Sequence, residues 1–288
     1  MPLTCGDLKI IPGQRTYLMG IVNTTPDSFS DGGLAFTCER ALDHALRLLD
    51  DGADILDVGG VSTAPDAKFV SEAEELERVL PVITKLAQRN ISRICVDTSR
   101  AEVARRALLC GASWINDQEA AVHDSKMPEV YAQAQACVLM HRRGCSGVKA
   151  GEAYGYDNII QDINNFFKER MSYLSNWGIS RNKIILDPGI GFGKGLSDSM
   201  KIINAMSDFN LAACNLLGLS RKSFINSLTD IKEPRDRDFA SLGAMAFGVL
   251  KGTHILRVHN VKAAFDMTRV LDALITQDNS HENLYKTR

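Results

Sequence analysis

Tyr17-Leu18-Met19-Gly20-Ile21-Val22-Asn23 is a run of mostly apolar residues that ends on a polar one, and it decides the fold because the chain repeats its pattern. The same kind of run returns at Ile55–Val58, Ile94–Val96, Trp114–Ile115, Cys137–Met140, Ile184–Leu186, Asn215–Leu219 and Ile255–Val258. Short, β-branched runs of this kind read as strands buried on both faces. Helical periodicity lies between them. Thr37 to Asp51 puts Ala41, Ala45, Leu48 and Leu49 on one stripe, and Ser71 to Gln88 opens on Ser71-x-x-Glu74, a capping signature. Asn158 to Trp177, Ser197 to Phe209, Phe239 to Leu250 and Val261 to Ile275 carry the same period, and Gly52, Gly111 and Gly178 stand where helices should stop. Strands alternating with helices pair in parallel, and eight such units in one undivided chain predict a single-domain α/β fold, a (β/α)8 TIM barrel. The expected plan is a short N-terminal hairpin over residues 1–16, signalled by Pro12-Gly13, a barrel over 17–276, and a polar, frayed tail over 277–288.

Charge narrows the function. With 33 Lys and Arg against 35 Asp and Glu, the 288-residue chain has a formal net charge of −2 and no whole-surface attraction for nucleic acid or an anionic membrane. Any phosphate must therefore be held by a few focused cations, and the partner is expected to be a small molecule. Seven cysteines without a C-x-x-C pair, several inside apolar runs, read as buried free thiols in a reducing, cytoplasmic setting. No stretch has the length and apolarity of a membrane span, and residues 1–15 lack the apolar core of a signal peptide.

In such a barrel, chemistry sits at the carboxyl ends of the strands. There the sequence places Asn23, Asp57, Asp97, Asn116-Asp117, His141, Asp187, Ser220-Arg221-Lys222 and Arg257 with His259. A single Asp in such a place is often a helix cap or half of a salt bridge. Several converging carboxylates and amides facing Lys and Arg would instead satisfy the donors and acceptors of a polar heterocycle. Asp187-Pro188-Gly189-Ile190-Gly191-Phe192-Gly193-Lys194 is Gly-rich, but it is not a P-loop, because Gly195 follows Lys194, and it does not match a dinucleotide fingerprint. Its glycines could let the backbone pass close under a flat ring, with Phe192 as a wall. Ser220-Arg221-Lys222-Ser223 opens a helix and suits an anion. Asn23 is the plausible ligand for a Mg²⁺ held mainly through substrate phosphates and water.

Read together, these strand ends resemble the dihydropteroate synthase family. The first signature is Met19-Gly20-Ile21-Val22-Asn23-Thr24-Thr25-Pro26-Asp27-Ser28-Phe29-Ser30-Asp31-Gly32-Gly33. Gly52 to Gly60, Val96-Asp97-Thr98, Ile115-Asn116-Asp117, Leu139-Met140-His141, Leu186 to Lys194, Ser220 to Ser223 and Arg257-Val258-His259 follow in family order. The resemblance implies a transferase of folate biosynthesis, a sulfonamide target. It joins 6-hydroxymethyl-7,8-dihydropterin pyrophosphate to p-aminobenzoate, with Mg²⁺ as cofactor and a homodimer as the assembly. It implies a catalytic set of Asp97, Asp187, Lys222, Arg257 and His259. Asp97, Asn116, Asp187 and Lys222 would form the pterin pocket, with Met140 and Phe192 as walls and Asp57 and Ser220 beside them. Asn23, Arg257 and His259 would hold the pyrophosphate, and Ser223, Thr63 and Pro65 would meet p-aminobenzoate. Two other readings share part of this set: a pterin-binding methyltransferase of the same barrel family, and a non-catalytic pterin-binding protein.

The second signature departs from the family pattern. Val61 and Ala64 stand where that pattern has Glu and Arg, Gln118-Glu119-Ala120-Ala121 differs from the common loop, and Asn260 replaces an Asp. Loss of the Arg is expected to weaken the pyrophosphate grip without abolishing it.

Overall fold

The computed structural model describes residues 2–25, 34–62, 68–143 and 155–276. Two strands, β1 (Leu3–Cys5) and β2 (Leu8–Ile10), form an antiparallel hairpin. Eight more close a parallel barrel: β3 (Tyr17–Asn23), β4 (Ile55–Gly59), β5 (Ile94–Asp97), β6 (Trp114–Asp117), β7 (Ala136–Met140), β8 (Ile184–Asp187), β9 (Cys214–Leu217) and β10 (Ile255–Val258). Neighbours in sequence are neighbours in the barrel, and β10 closes it against β3. The helices between them are α1 (Leu34–Asp50), α2 (Glu72–Gln88), α3 (Ala101–Leu109), α4 (Met127–Gln133), α5 (Ile159–Ser175), α6 (Leu196–Asn204), α7 (Ser223–Thr229), α8 (Asp238–Leu250) and α9 (Val261–Thr276). The predicted (β/α)8 barrel is thus the observed one.

Strand side chains alternate between two faces, and the barrel uses both. Leu18, Leu56, Val96, Ile115, Leu139, Leu186 and Leu256 point outward into the layer packed against the helices. Tyr17, Met19, Ile55, Cys95, Trp114, Val138, Ile185, Leu216 and Ile255 fill a separate cluster inside the barrel. That inner cluster also includes Leu3, Cys5 and Ile10, so the hairpin plugs the bottom. The Trp114 indole N–H donates to the Thr4 carbonyl at 2.6 Å, the Gly6 N–H donates to Gln135 at 2.9 Å, and the Ile11 N–H donates to the Tyr17 hydroxyl at 2.9 Å.

The hairpin turns at Gly6-Asp7 and not at Pro12-Gly13. Gly6 has φ +59°, and a Cβ there would overlap Ser92; Pro12-Gly13 makes a later turn closed by Gln14 N–H to the Ile11 carbonyl at 3.1 Å. Ser71 caps α2 by accepting the Glu74 N–H at 3.2 Å, but the Glu74 carboxylate pairs forward with Arg78 and leaves the reciprocal half of the box unmade. Six described cysteines are free, five buried and Cys110 half-buried. The tail from residue 277, Cys145, Thr63 and Pro65 lie outside the described residues.

Candidate active site at the barrel mouth

Counting by two from the inner apolar layer gives the site. Above Ile55 the next inward residue is Asp57, above Cys95 it is Asp97, above Trp114 it is Asn116, above Val138 it is Met140, above Ile185 it is Asp187, and above Ile255 it is Arg257. The barrel interior therefore changes from apolar to polar one pleat below its mouth. A cavity of about 660 Å³ opens there, lined by Asn23, Asp97, Asn116, Met140, Asp187, Phe192, Ser220, Lys222, Arg257 and His259 among others.

Arg257 ties two strands to its own. Its Nε donates to Asp57 at 2.6 Å and an Nη donates to Asp97 at 2.7 Å. Burial opposes its charge, but Asp57 and Asp97 outweigh burial and raise its pKa. Asp57 is fully buried beneath the cavity floor, and the same oxygen that takes Arg257 accepts the Asn116 amide at 3.0 Å. Asp97 also accepts the Gln118 amide on both oxygens, at 2.9 and 3.2 Å. Burial pushes the Asp97 carboxyl up to about 7, with Arg257 pulling against it and Asp57 adding to it.

Asp187 has one oxygen committed, since Oδ1 accepts the Gly189 N–H at 2.8 Å. Burial raises its pKa, opposed by Lys222. Gly189 must be glycine: φ is +70°, and a Cβ would overlap the His141 carbonyl. The Lys222 ammonium lies 4.3 Å from the Phe192 ring centre and donates to the Ile190 carbonyl, while burial brings its pKa down to about 8. Lys194, also buried, donates to the His141 and Phe192 carbonyls at 3.0 Å each and so fixes the Gly-rich loop from behind.

On the β9–β10 side, Ser220 Oγ lies 3.0 Å from His259 Nδ1. Burial and the nearby Arg221 and Arg257 lower His259 to about 3, so it is a neutral hydrogen-bonding group here and not the cation that its position suggests. Arg221 pairs with Asp238 through two bonds of 2.6 and 2.9 Å. Asn260 accounts for one sequence departure: its Oδ1 accepts the Ala263 N–H at 3.1 Å at the start of α9, and its amide donates to Asp238 at 3.1 Å, which an Asp could not do.

Some expectations fall outside this cluster. Ser223 starts the short helix α7, half-buried and not in the cavity lining. Asp117 faces outward, where it accepts the Tyr131 hydroxyl at 2.6 Å and the Glu119 and Ala121 N–H groups at 2.8 and 2.7 Å. His141 is buried edge-on to Phe166, 5.0 Å between ring centres. The lining also holds residues that strand ends do not supply: His44 and Arg47 from α1, Gln118, and Arg235 from the turn before α8. Among the described residues no three His, Cys, Asp or Glu side chains gather as a metal cage.

A closed parallel barrel whose mouth combines buried carboxylates and an amide with stacked and paired cations is the form of an enzyme that holds a polar heterocycle and an anion. The sequence pattern of the pterin binding enzyme family matches residues 19–259. Dihydropteroate synthase of Synechocystis is 39% identical over 275 residues, 95% of each chain. Xanthomonas albilineans dihydropteroate synthase solved with 4-aminobenzoic acid superposes with a TM-score of 0.87 at 38% identity, covering 95% of this chain and 98% of that one. The same enzyme with 7,8-dihydropteroate gives 0.84 at 36%, covering 96% and 99%. The chain belongs to the pterin binding enzymes and, within them, to the dihydropteroate synthases.

Proposed function

We propose that the chain condenses 6-hydroxymethyl-7,8-dihydropterin pyrophosphate with p-aminobenzoate at the barrel mouth, giving 7,8-dihydropteroate and pyrophosphate. The observation that carries this reading is the inward row Asp97, Asn116, Asp187 and Arg257, set directly above an apolar floor and next to Lys222 on Phe192. Asp187, with one oxygen held by Gly189, presents the other to a ring N–H, and Asn116 and Asp97 supply the remaining polar edge. Met140 and Phe192 flank the ring. Arg257, Ser220 and the neutral His259 face the departing pyrophosphate.

The step is SN1-like. The exocyclic C–O bond breaks with its electron pair leaving on pyrophosphate, the pterin methylene carries the delocalised positive charge, and the aromatic amine bonds to that carbon and sheds its proton to solvent. No protein nucleophile takes part, so barrier lowering rests on hydrogen bonds and charges aimed at the leaving group. Asn23, exposed at the end of β3 with a single neutral amide oxygen, fits a Mg²⁺ bound mostly by phosphate and water. A Mg²⁺ held there would neutralise charge on the diphosphate.

Exposed Phe247 and Leu250 on α8 and Val270, Leu274 and Ile275 on α9 support a homodimer through that face, and the free thiols support a cytoplasmic setting. Mixing purified protein with the pterin pyrophosphate, p-aminobenzoate and Mg²⁺ should release pyrophosphate in step with dihydropteroate. Pterin binding without release would contradict the reading and leave a non-catalytic binder.

A further inference from the structure

The turn after β6 reaches its neighbours on both sides. Consecutive strands lie side by side in this barrel, so Gln118 and Glu119, just past β6, stand between the end of β5 and that of β7. Gln118 turns toward β5, where its amide nitrogen donates to both Asp97 oxygens at 2.9 and 3.2 Å. Its carbonyl oxygen is buried without a hydrogen-bond partner, so the side chain spends its hydrogen bonding on Asp97. Glu119 turns the other way. One of its oxygens accepts from Arg142, just beyond β7, at 2.9 Å, and the other lies 3.2 Å from exposed His123. The Arg142 guanidinium is in turn 5.6 Å from the centre of the Phe192 ring, the apolar wall beyond β8 that also carries the Lys222 ammonium. Two adjacent side chains thus link four successive strand ends, and Glu119 and Arg142 do so from outside the cavity lining.

The backbone is strained where it makes this turn. Ala120 and Ala121 hold φ of +49° and +55°, a left-handed pair that residues with a Cβ rarely adopt. The pair is held from behind, because Asp117 accepts the Glu119 and Ala121 N–H groups at 2.8 and 2.7 Å and Arg170 donates to the Ala120 and Ala121 carbonyls at 3.0 and 2.9 Å. Strain of this kind persists where the surroundings over-determine it. We infer that the turn over residues 117–121 positions the ring pocket, with Gln118 setting Asp97 and Glu119, through Arg142, setting Phe192. The inference deepens the synthase reading and rests on it for the identity of the ring. A salt bridge to Glu119 fixes the guanidinium, and a fixed cation beside Phe192 holds the plane against which a flat substrate stacks.

The test titrates the hydroxymethyl-pterin at pH 7 into the parent chain, Arg142→Met, Glu119→Gln and Gln118→Leu, and repeats each beside Phe192→Leu, which keeps an apolar wall and removes the ring face. Arg142→Met should weaken binding by about threefold to tenfold, Glu119→Gln by about threefold, and Gln118→Leu by about threefold to tenfold. For Arg142→Met and Glu119→Gln, the melting temperature and the inhibition constant for inorganic pyrophosphate should hardly change, and Arg142→Lys should recover part of the loss. Beside Phe192→Leu, the Arg142 and Glu119 effects should shrink below about twofold, whereas Gln118→Leu, acting through Asp97, should keep its full effect. An Arg142→Met loss undiminished beside Phe192→Leu would overturn the inference, as would unchanged pterin affinity in Arg142→Met or in Gln118→Leu. A parent chain that shows these couplings yet releases no pyrophosphate from the pterin pyrophosphate supports the positioning role and contradicts the synthase reading. A chain that turns over without the couplings does the reverse, so the two fail separately.

Discussion

The two ends of the barrel are built from the same strands and follow opposite rules. At the bottom, Trp114, Tyr17, Cys95 and their neighbours fill the interior without a charge, and the hairpin excludes water. One pleat higher on the same strands, Asp57, Asn116 and Asp187 are buried and Asp97 and Arg257 partly so, at the cost of desolvation, which raises the carboxyl pKa of Asp97 and Asp187 and lowers that of the Lys222 ammonium. Stability is concentrated below and reactivity above, and a substitution should report which end it touches.

The largest effects come from opening either end. Trp114→Ala should cost about 3–5 kcal/mol of unfolding free energy, equally at pH 5 and pH 8, while the folded fraction keeps its turnover; denaturant melts at both pH values check this. Arg257→Met should cost a similar ~3–5 kcal/mol by leaving Asp57 and Asp97 without their cation, and here pH matters. A carboxyl whose folded pKa is raised binds more protons folded than unfolded, so its contribution falls as pH rises from the ordinary carboxyl value of 3.8 through about 7. The Arg257→Met loss should therefore be smaller at pH 5 than at pH 8. Turnover should fall as well, by at least roughly tenfold, because the leaving group loses a charged partner.

A smaller effect appears in the pH profile of the parent chain. With Asp97 titrating at about 7 and Lys222 at about 8, kcat/KM for the pterin substrate should be bell-shaped, falling below the first as Asp97 takes a proton and above the second as Lys222 loses one. Lys222→Arg should push out the alkaline limb and leave the acid limb in place. Smallest is Gln118→Leu, which removes the donor to both Asp97 oxygens. The acid limb should move upward, with a loss of roughly threefold to tenfold near pH 7 and little change in melting temperature. A flat profile from pH 6 to 9 would break the contrast between the two ends.

Most of the barrel was legible because each strand announces itself as a short apolar run and each run stops on a polar residue. Helices α3 and α4 were not, since Arg100 and Lys126 at their starts make no side-chain cap bond and both helices are short. Within the site, Asp97, Asn116, Asp187, Lys222 and Arg257 were found from their places at strand ends. The direction each faces was not, because a strand buried on both sides shows no polar alternation. Asn116 and Asp117 are adjacent in sequence, yet one floors the cavity and the other braces a loop outside it. Counting by two from Trp114 separates them once one inward residue is known. Arg47 and Arg235 are not legible, because they come from a helix and a turn, where no periodicity marks a side chain as facing the mouth, and Gln118 stands out in the sequence only as a departure from the family pattern, with nothing to show that it reaches Asp97.

The central claim is that the polar row above the apolar floor is the pterin pocket, with Asp187 as its anchor. Calorimetric titration of the hydroxymethyl-pterin into the parent chain and into Asp187→Ala tests it most directly, with melting curves confirming that both are folded. One site per chain in the parent and no measurable binding in the folded variant is the predicted result; a folded Asp187→Ala that binds as tightly as the parent would contradict it.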